Sequence, residues 1–389
     1  MNDATSDNTP DHIKPNPYQI NWPKAYSELN MQAEFRTLDE DFQVNEVTNR
    51  ELVESGPHMY LYIEKKGTNT HWLARKLANH AKIDLKDVGY AGLKDRHGVT
   101  RQWFSLPIKN KEPDLTHVFS GDEFTLLEKG FYGVKLKRGA LGGNQFKLIL
   151  RNLVGDRVEV EERLELIKSN GVPNYFGEQR FGHNNENLYQ AEKFYKTGKR
   201  PRNRQKTSMY LSASRSYLFN QMLANRIKAD TWTKAIDGEV FGFAGSLRGF
   251  RQEGTPEETE RFNQREIHPT CAMWGRGESL ASEKLLELEK SVAHENPIFS
   301  EGIEKQGMKQ ERRATRLLIP ELNWEWLSDD VLELSFELAS GFYATSVLRE
   351  LGQITEAVRV DESARYHEIA LKKAKEIESE NNDIQGTQE

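Results

Sequence analysis

The 389-residue sequence contains one cysteine, Cys271. A single thiol makes neither an intrachain disulfide nor a thiolate zinc cluster. Its setting, Pro-Thr-Cys-Ala-Met, has no charged neighbour beside it and reads as an inert core position. The 10 histidines are scattered, with no HxxxH or HExxH pair, so no built-in metal is expected. No stretch nears the roughly 18 consecutive apolar residues of a membrane-crossing helix. Residues 1–17 lack the basic start and apolar stretch of a signal peptide. A phosphate loop and a nucleotide-binding fingerprint are also missing. A soluble, cytoplasmic protein is the expectation.

What is present suits a sizeable folded body. Hydrophobic residues at 37%, with 7 Trp, 13 Tyr and 18 Phe, supply a substantial core, and the length favours two domains. The formal net charge of -6 argues against a nucleic-acid partner only superficially. Screening at physiological salt has a range of about 8 Å, so a polyanion responds to the local patch. Two basic runs stand out: Lys193–Lys206 (KFYKTGKRPRNRQK), without an acidic residue, and Lys135–Arg138 (KLKR), which leads into a Gly-rich stretch. Either run alone is also what a solvated surface looks like.

Residues 1–30 are polar and read as a mobile arm, and 362–389 as a charged tail. Between them, Phe42 and Val44, then Met59, Leu61 and Ile63, alternate as half-buried strands do, with Tyr60 and Tyr62 on the other face. Asn69 or Thr70 is a candidate N-cap for a helix bearing Leu73, Leu77 and Ala81. Phe146, Leu148 and Leu150 alternate again, as do Leu332, Leu334, Phe336 and Leu338 near the other end. The middle is helix-rich, with one long helix around 209–229. Strand-like material at both ends of a helical middle suggests one domain inserted into another.

The segment 90–103 (YAGLKDRHGVTRQW) sets Asp95 in a tight polar turn between apolar runs. Such a turn can present a carboxylate at a pocket, and Lys94 and Arg96 would favour its ionised form. Taken alone, an Asp in Lys-Asp-Arg-His-Gly is an ordinary turn residue. The case rests on five blocks together. Gly92-Leu-Lys-Asp95, 138–146 (RGALGGNQF), 173–182 (PNYFGEQRFG), 212–220 (SASRSYLFN) and 341–351 (GFYATSVLREL) resemble the TruD family of RNA pseudouridine synthases in order and spacing.

The resemblance implies an α+β catalytic domain on a mixed, largely antiparallel sheet, formed by 31–171 and 318–361. A helix-rich insertion, 172–317, would form one wall of its cleft. It implies an isomerase that converts uridine to pseudouridine in tRNA, at position 13, without a cofactor. Asp95 would be the nucleophile. Phe42 and Asn144 match substrate contacts, and Phe146 matches the residue that stands where other pseudouridine synthases have tyrosine. Tyr343 falls where the family often has phenylalanine, a departure that keeps stacking and adds a polar tip. Arg36 matches a basic position able to pair with Asp95. A base within folded RNA must be flipped out of its stack at a cost of a few kcal/mol, which backbone contacts have to offset. Lys135, Lys137, Arg138, Arg180, Lys199, Arg200 and Arg202 are the candidates. No obligatory protein partner is implied, and a monomer is the simpler expectation. The competing readings are a paired-carboxylate hydrolase, for which Glu46 or Glu178 would be the second acid, and a non-catalytic RNA-binding protein.

Overall fold

The computed structural model describes residues 18–357 apart from 19, 110, 141 and 340. The tail expected over 362–389 and residues 1–17 of the expected arm lie outside them.

Alternation in the sequence becomes a strand wherever one face meets a core. Seven strands come from the first half: β1 (Gln32–Phe35), β2 (Phe42–Val47), β3 (His58–Lys66), β4 (Gly89–Tyr90), β5 (Val99–Pro107), β6 (Phe124–Tyr132) and β7 (Gly143–Val154). After β8 (Val172–Pro173) the middle of the chain adds β9 (Val240–Gly242), β10 (Phe250–Arg251), β11 (His268–Met273) and β12 (Glu311–Ala314). Then β13 (Arg316–Leu317) pairs back onto β8, and β14 (Asn323–Ser328), β15 (Val331–Ala339) and β16 (Gln353–Glu356) follow.

The main sheet runs β14-β15-β7-β2-β5-β3-β6, with β1 on β7, β16 on β1 and β4 on β5. Among the described residues only the β1–β16 and β2–β5 pairs of this sheet are parallel, so the sheet is mixed and largely antiparallel, as expected. Strands from both ends of the chain thus share one sheet. The strands of the middle form a separate antiparallel sheet, β10-β9-β11-β12.

Helices cover the apolar faces. In α1 (Thr70–Ala81) the Trp72 N–H donates to Asn69 Oδ1 (2.8 Å), the side-chain cap the sequence suggests. Its Leu73 and Leu77 pack on Met59, Leu61 and Ile63 of β3. Tyr60, on the other face of β3, is buried too, against Trp103 and Leu136, so this strand is covered on both sides. A second core joins Leu148 and Leu150 of β7 to Leu332 and Leu334 of β15, beneath α2 (Arg157–Asn170). In the middle of the chain come α3 (Glu186–Thr197), α4 (Arg204–Lys228), α5 (Pro256–Asn263), α6 (Glu283–Glu295) and α7 (Pro297–Lys305). Leu218 and Met222 of α4 share their core with Cys271, whose thiol burial pushes up to about 12. Helix α8 (Ala344–Leu351) returns to the main sheet. Among the described residues no helix is long and apolar enough to cross a membrane, and no cluster of His, Cys, Asp and Glu is arranged to hold a metal.

One expectation needs correcting. The arm was expected to reach residue 30, yet the segment from Trp22 onward is packed. Trp22 is buried against Tyr175, the Tyr26 hydroxyl donates to Gly171 O (2.6 Å), and Ala25 N–H donates to Glu350 Oε2 (2.9 Å). Its aromatics gain burial that the polar composition of the whole segment conceals.

Within the middle part, Arg226 and Glu239 are both fully buried, 2.8 Å apart, and Glu239 also accepts from the Ile236 and Val240 N–H groups. Removing one partner strands a buried charge. Arg226→Met is expected to lower the unfolding free energy by about 3–5 kcal/mol, measured by urea denaturation. A loss under about 1 kcal/mol would show that water or rearrangement satisfies Glu239.

Candidate active site

Asp95 lies in the irregular stretch between β4 and β5, where the main chain has no ladder of its own and must be held from outside. Side chains supply the partners. Lys94 N–H donates to Thr70 Oγ1 (2.9 Å), which itself donates to Gln102 Oε1 (2.9 Å). The Gln102 amide donates to Gly92 O (2.9 Å), and Lys65 Nζ donates to Asp95 O (2.9 Å). Lys94 Nζ meets Glu46 Oε1 at 2.6 Å, inside the protein, while Glu46 Oε2 accepts from Trp103 N–H (2.9 Å). Burial pushes the Glu46 carboxyl up from its ordinary value, and Lys94 opposes the shift.

Held this way, the Asp95 carboxylate stays 42% exposed and Oδ2 accepts from Arg36 Nη2 at 2.6 Å. Arg36 follows β1 in a left-handed conformation (φ 62°), sparsely used by a non-glycine residue and a recurrent feature of functional sites. Its guanidinium lies 4.0 Å from the centre of the Phe42 ring and also donates to Glu356 Oε1 (2.9 Å). The pair expected of Arg36 and Asp95 is therefore formed.

Asp95, Arg36, Phe42, Asn144, Phe146 and Tyr343 all line one cleft of about 750 Å³. They come from β2, β7, two loops and the approach to α8, so the sheet order brings together positions up to 307 residues apart, Arg36 to Tyr343. Phe146 stacks on Phe336 of the neighbouring strand (centroids 5.4 Å, 26°) and meets Phe42 at 6.4 Å. Among the described residues the buried carboxamide oxygen of Asn144 has no hydrogen-bond partner. Pro173, Tyr175 and Phe176, from the start of the middle part, also line the cleft.

The Tyr343 hydroxyl accepts from Arg180 Nη2 (2.6 Å), and Arg180 Nη1 donates to Ser212 Oγ (2.9 Å). Arg180, expected at a phosphate, thus has both terminal nitrogens engaged within the protein. Neither Arg180 nor any of the other basic candidates lines the cleft. Lys137 and Arg138 are exposed in a loop whose Gly139 N–H donates to Ala91 O (2.8 Å), beside the start of the Asp95 stretch. Lys135 Nζ donates to Lys86 O. Lys199, Arg200 and Arg202 are exposed between α3 and α4, with Arg200 donating to Gln306 Oε1 (2.7 Å).

Glu46 stood in the sequence only as a possible second acid, and Lys65 did not stand out. A signal for both was available. Glu46 continues the buried parity of Phe42 and Val44, and Lys65 that of Met59, Leu61 and Ile63. A charge at an inward position of an alternating strand is costly and asks for a reason.

Gly98 closes the Asp95 stretch against Phe42. A Cβ there would lie 2.6 Å from Phe42 O and 2.8 Å from Phe42 Cδ1. Gly98→Ala is expected to cost about 1–3 kcal/mol, read by denaturation, and to displace the Phe42 ring. Unchanged stability would show that this contact is loose.

Comparison with known proteins finds similarity along most of the chain. A family model described as tRNA pseudouridine synthase D (TruD) matches residues 25–194 and 186–351. The tRNA pseudouridine synthase D of Nitrosococcus oceani is 44% identical over 329 residues, covering 84% of this chain and 92% of that protein. That of Hydrogenovibrio crunogenus is 39% identical over 342 residues, covering 87% of this chain and 99% of that protein. A solved structure from Methanosarcina mazei, described as a TruD protein, superposes with a TM-score of 0.65 at 22% identity, over 85% of this chain and 95% of that one, which establishes a shared fold. Matched along nearly the full length of such relatives, the chain belongs to the tRNA pseudouridine synthase D (TruD) family.

Proposed function

We propose that Asp95 is the nucleophile with which this chain, a tRNA pseudouridine synthase of the isomerase class, converts uridine to pseudouridine. The observation that carries the assignment is an exposed carboxylate, paired with Arg36, on a cleft with aromatic walls and one unpartnered amide acceptor. The N1–C1′ bond of the target uridine breaks with Asp95 acting as a covalent nucleophile. The freed uracil turns within the cleft, C5 bonds to C1′ as the bond to Asp95 is given up, N1 takes up a proton, and the C5 hydrogen leaves as a proton. Phe42 and Phe146 supply flat apolar surface along which the base can turn, and Asn144 Oδ1 accepts a uracil N–H. Arg36 aims the carboxylate through their ion pair.

The state of Glu46 removes one of the two acids the hydrolase reading could use, while the other, Glu178, lines the cleft. Both of its oxygens are engaged, by Lys94 and by the Trp103 N–H, so it cannot serve as a free second acid beside Asp95. The substrate is the uridine at position 13 of a tRNA, acted on in the cytoplasm by a monomer that needs no cofactor. The segment 172–317 acts as an inserted domain whose leading residues wall the cleft. Lys137 and Arg138, beside the Asp95 stretch, and Lys199, Arg200 and Arg202 contact backbone phosphates.

Release of tritium from uracil C5 of unmodified tRNA transcripts tests the nucleophile. The parent protein is expected to release the label, and Asp95→Asn to release none while binding tRNA with near-parent affinity. Turnover by Asp95→Asn would refute the assignment. Reversing Lys199, Arg200 and Arg202 to Glu together is expected to weaken tRNA binding and to flatten its salt dependence by about one logarithmic unit of slope per lost phosphate contact. An unaltered slope would remove that patch from the interface.

A further inference from the structure

Lys65 is 1% exposed, yet no carboxylate among the described residues pairs with it directly. Its ammonium donates to two main-chain carbonyls, Thr68 O at 2.6 Å and Asp95 O at 2.9 Å. Thr68 belongs to the turn that leads from β3 into α1, so one side chain ties the Asp95 residue itself to the rigid end of a central strand. A carbonyl pair is a weak reason to bury a cation, since an apolar residue at this inward position would pack without the desolvation cost. The charge therefore calls for a use beyond packing.

We propose that Lys65 is a positioning residue for the reaction: its charged ammonium clamps the Asp95 main chain to the Thr68 turn and so fixes where the nucleophilic carboxylate stands in the cleft. The inference rests on the reading of Asp95 as nucleophile. The charged groups acting on Lys65 are the Asp95 and Glu46 carboxylates, which favour its cation, and the Lys94 ammonium, which opposes it. Arg36 pairs with the Asp95 carboxylate, and Arg96 Nε donates to Gly67 O (3.2 Å) in the same turn. Burial outweighs the rest and pushes Lys65 down to about 8, so the clamp weakens within an accessible pH range. A neutral amine donates without the charge assistance that makes these hydrogen bonds strong, so deprotonation loosens the clamp.

The test is the single-turnover rate on tRNA transcripts from pH 6.5 to 9.0 for the parent, Lys65→Arg, Lys65→Met and, as a control, Asp95→Asn. The parent rate is expected to fall about tenfold between pH 7 and pH 9, as a group titrating near 8 requires. Lys65→Arg keeps its charge throughout and is expected to retain most of the rate at pH 7 without the alkaline fall. Lys65→Met is expected to be at least tenfold slower at pH 7 and flat with pH, with tRNA affinity unchanged. A flat parent profile overturns the proposal, as does an alkaline fall that survives in either variant. Should Lys65→Met fail to fold, the Lys65→Arg profile decides alone. An active Asp95→Asn would instead sink the nucleophile assignment, whatever the Lys65 variants do.

Discussion

The ion pair between Glu46 and Lys94 is the contact on which the site's geometry turns. Its atoms lie 2.6 Å apart, with the Glu46 side chain wholly buried and that of Lys94 nearly so. Such a pair contributes little net stability, because removing both charges from water offsets most of their attraction. What it does supply is direction. Glu46 is fixed within β2, so Lys94 can reach it from only one place, and Asp95 follows in the chain. In the same register Glu46 stands opposite Asn144 of β7, so a single strand position sets the spacing between the carboxylate turn and the unpartnered amide across the cleft.

The aromatic wall depends on the same registers. Phe146 is paired with Phe336 on one side and with Val44 on the other, while Phe42 sits one inward position along β2. Phe35 meets Phe42 edge-on at 5.5 Å, and the Arg36 guanidinium caps the Phe42 ring. A one-residue slip in β2 would turn Phe42 away from the cleft and expose Glu46 at once. These registers and contacts hold the aromatic wall of the cleft in place.

Much of this was legible in the sequence. The alternation in β7 and β15, the Asn69 cap and the polar break at Asp95 all rest on local chemistry, and local chemistry survives folding. Other features were not local. Residues 22–30 look polar as a segment, yet Trp22 and Tyr26 find partners at Tyr175 and Gly171 that lie some 145–153 positions away. Arg180 reads as a phosphate ligand until Tyr343 and Ser212 are placed beside it. Lys65, in the string Glu-Lys-Lys, resembles any solvated strand end, and only its parity with Ile63 marks it as inward-facing.

That parity has a thermodynamic consequence opposite to its catalytic one. The folded-state pKa of Lys65, about 8, lies below the ordinary value of 10.5. Between those values the unfolded chain binds a proton that the folded chain has released, so this group's contribution to stability rises as pH increases through that window. Below about pH 8 the folded protein instead carries a buried cation at the expense of stability. The charged clamp on Asp95 exists only on that less stable side. An apolar residue at this position would avoid that cost, whereas Lys65 bears it while its ammonium holds the Asp95 and Thr68 carbonyls.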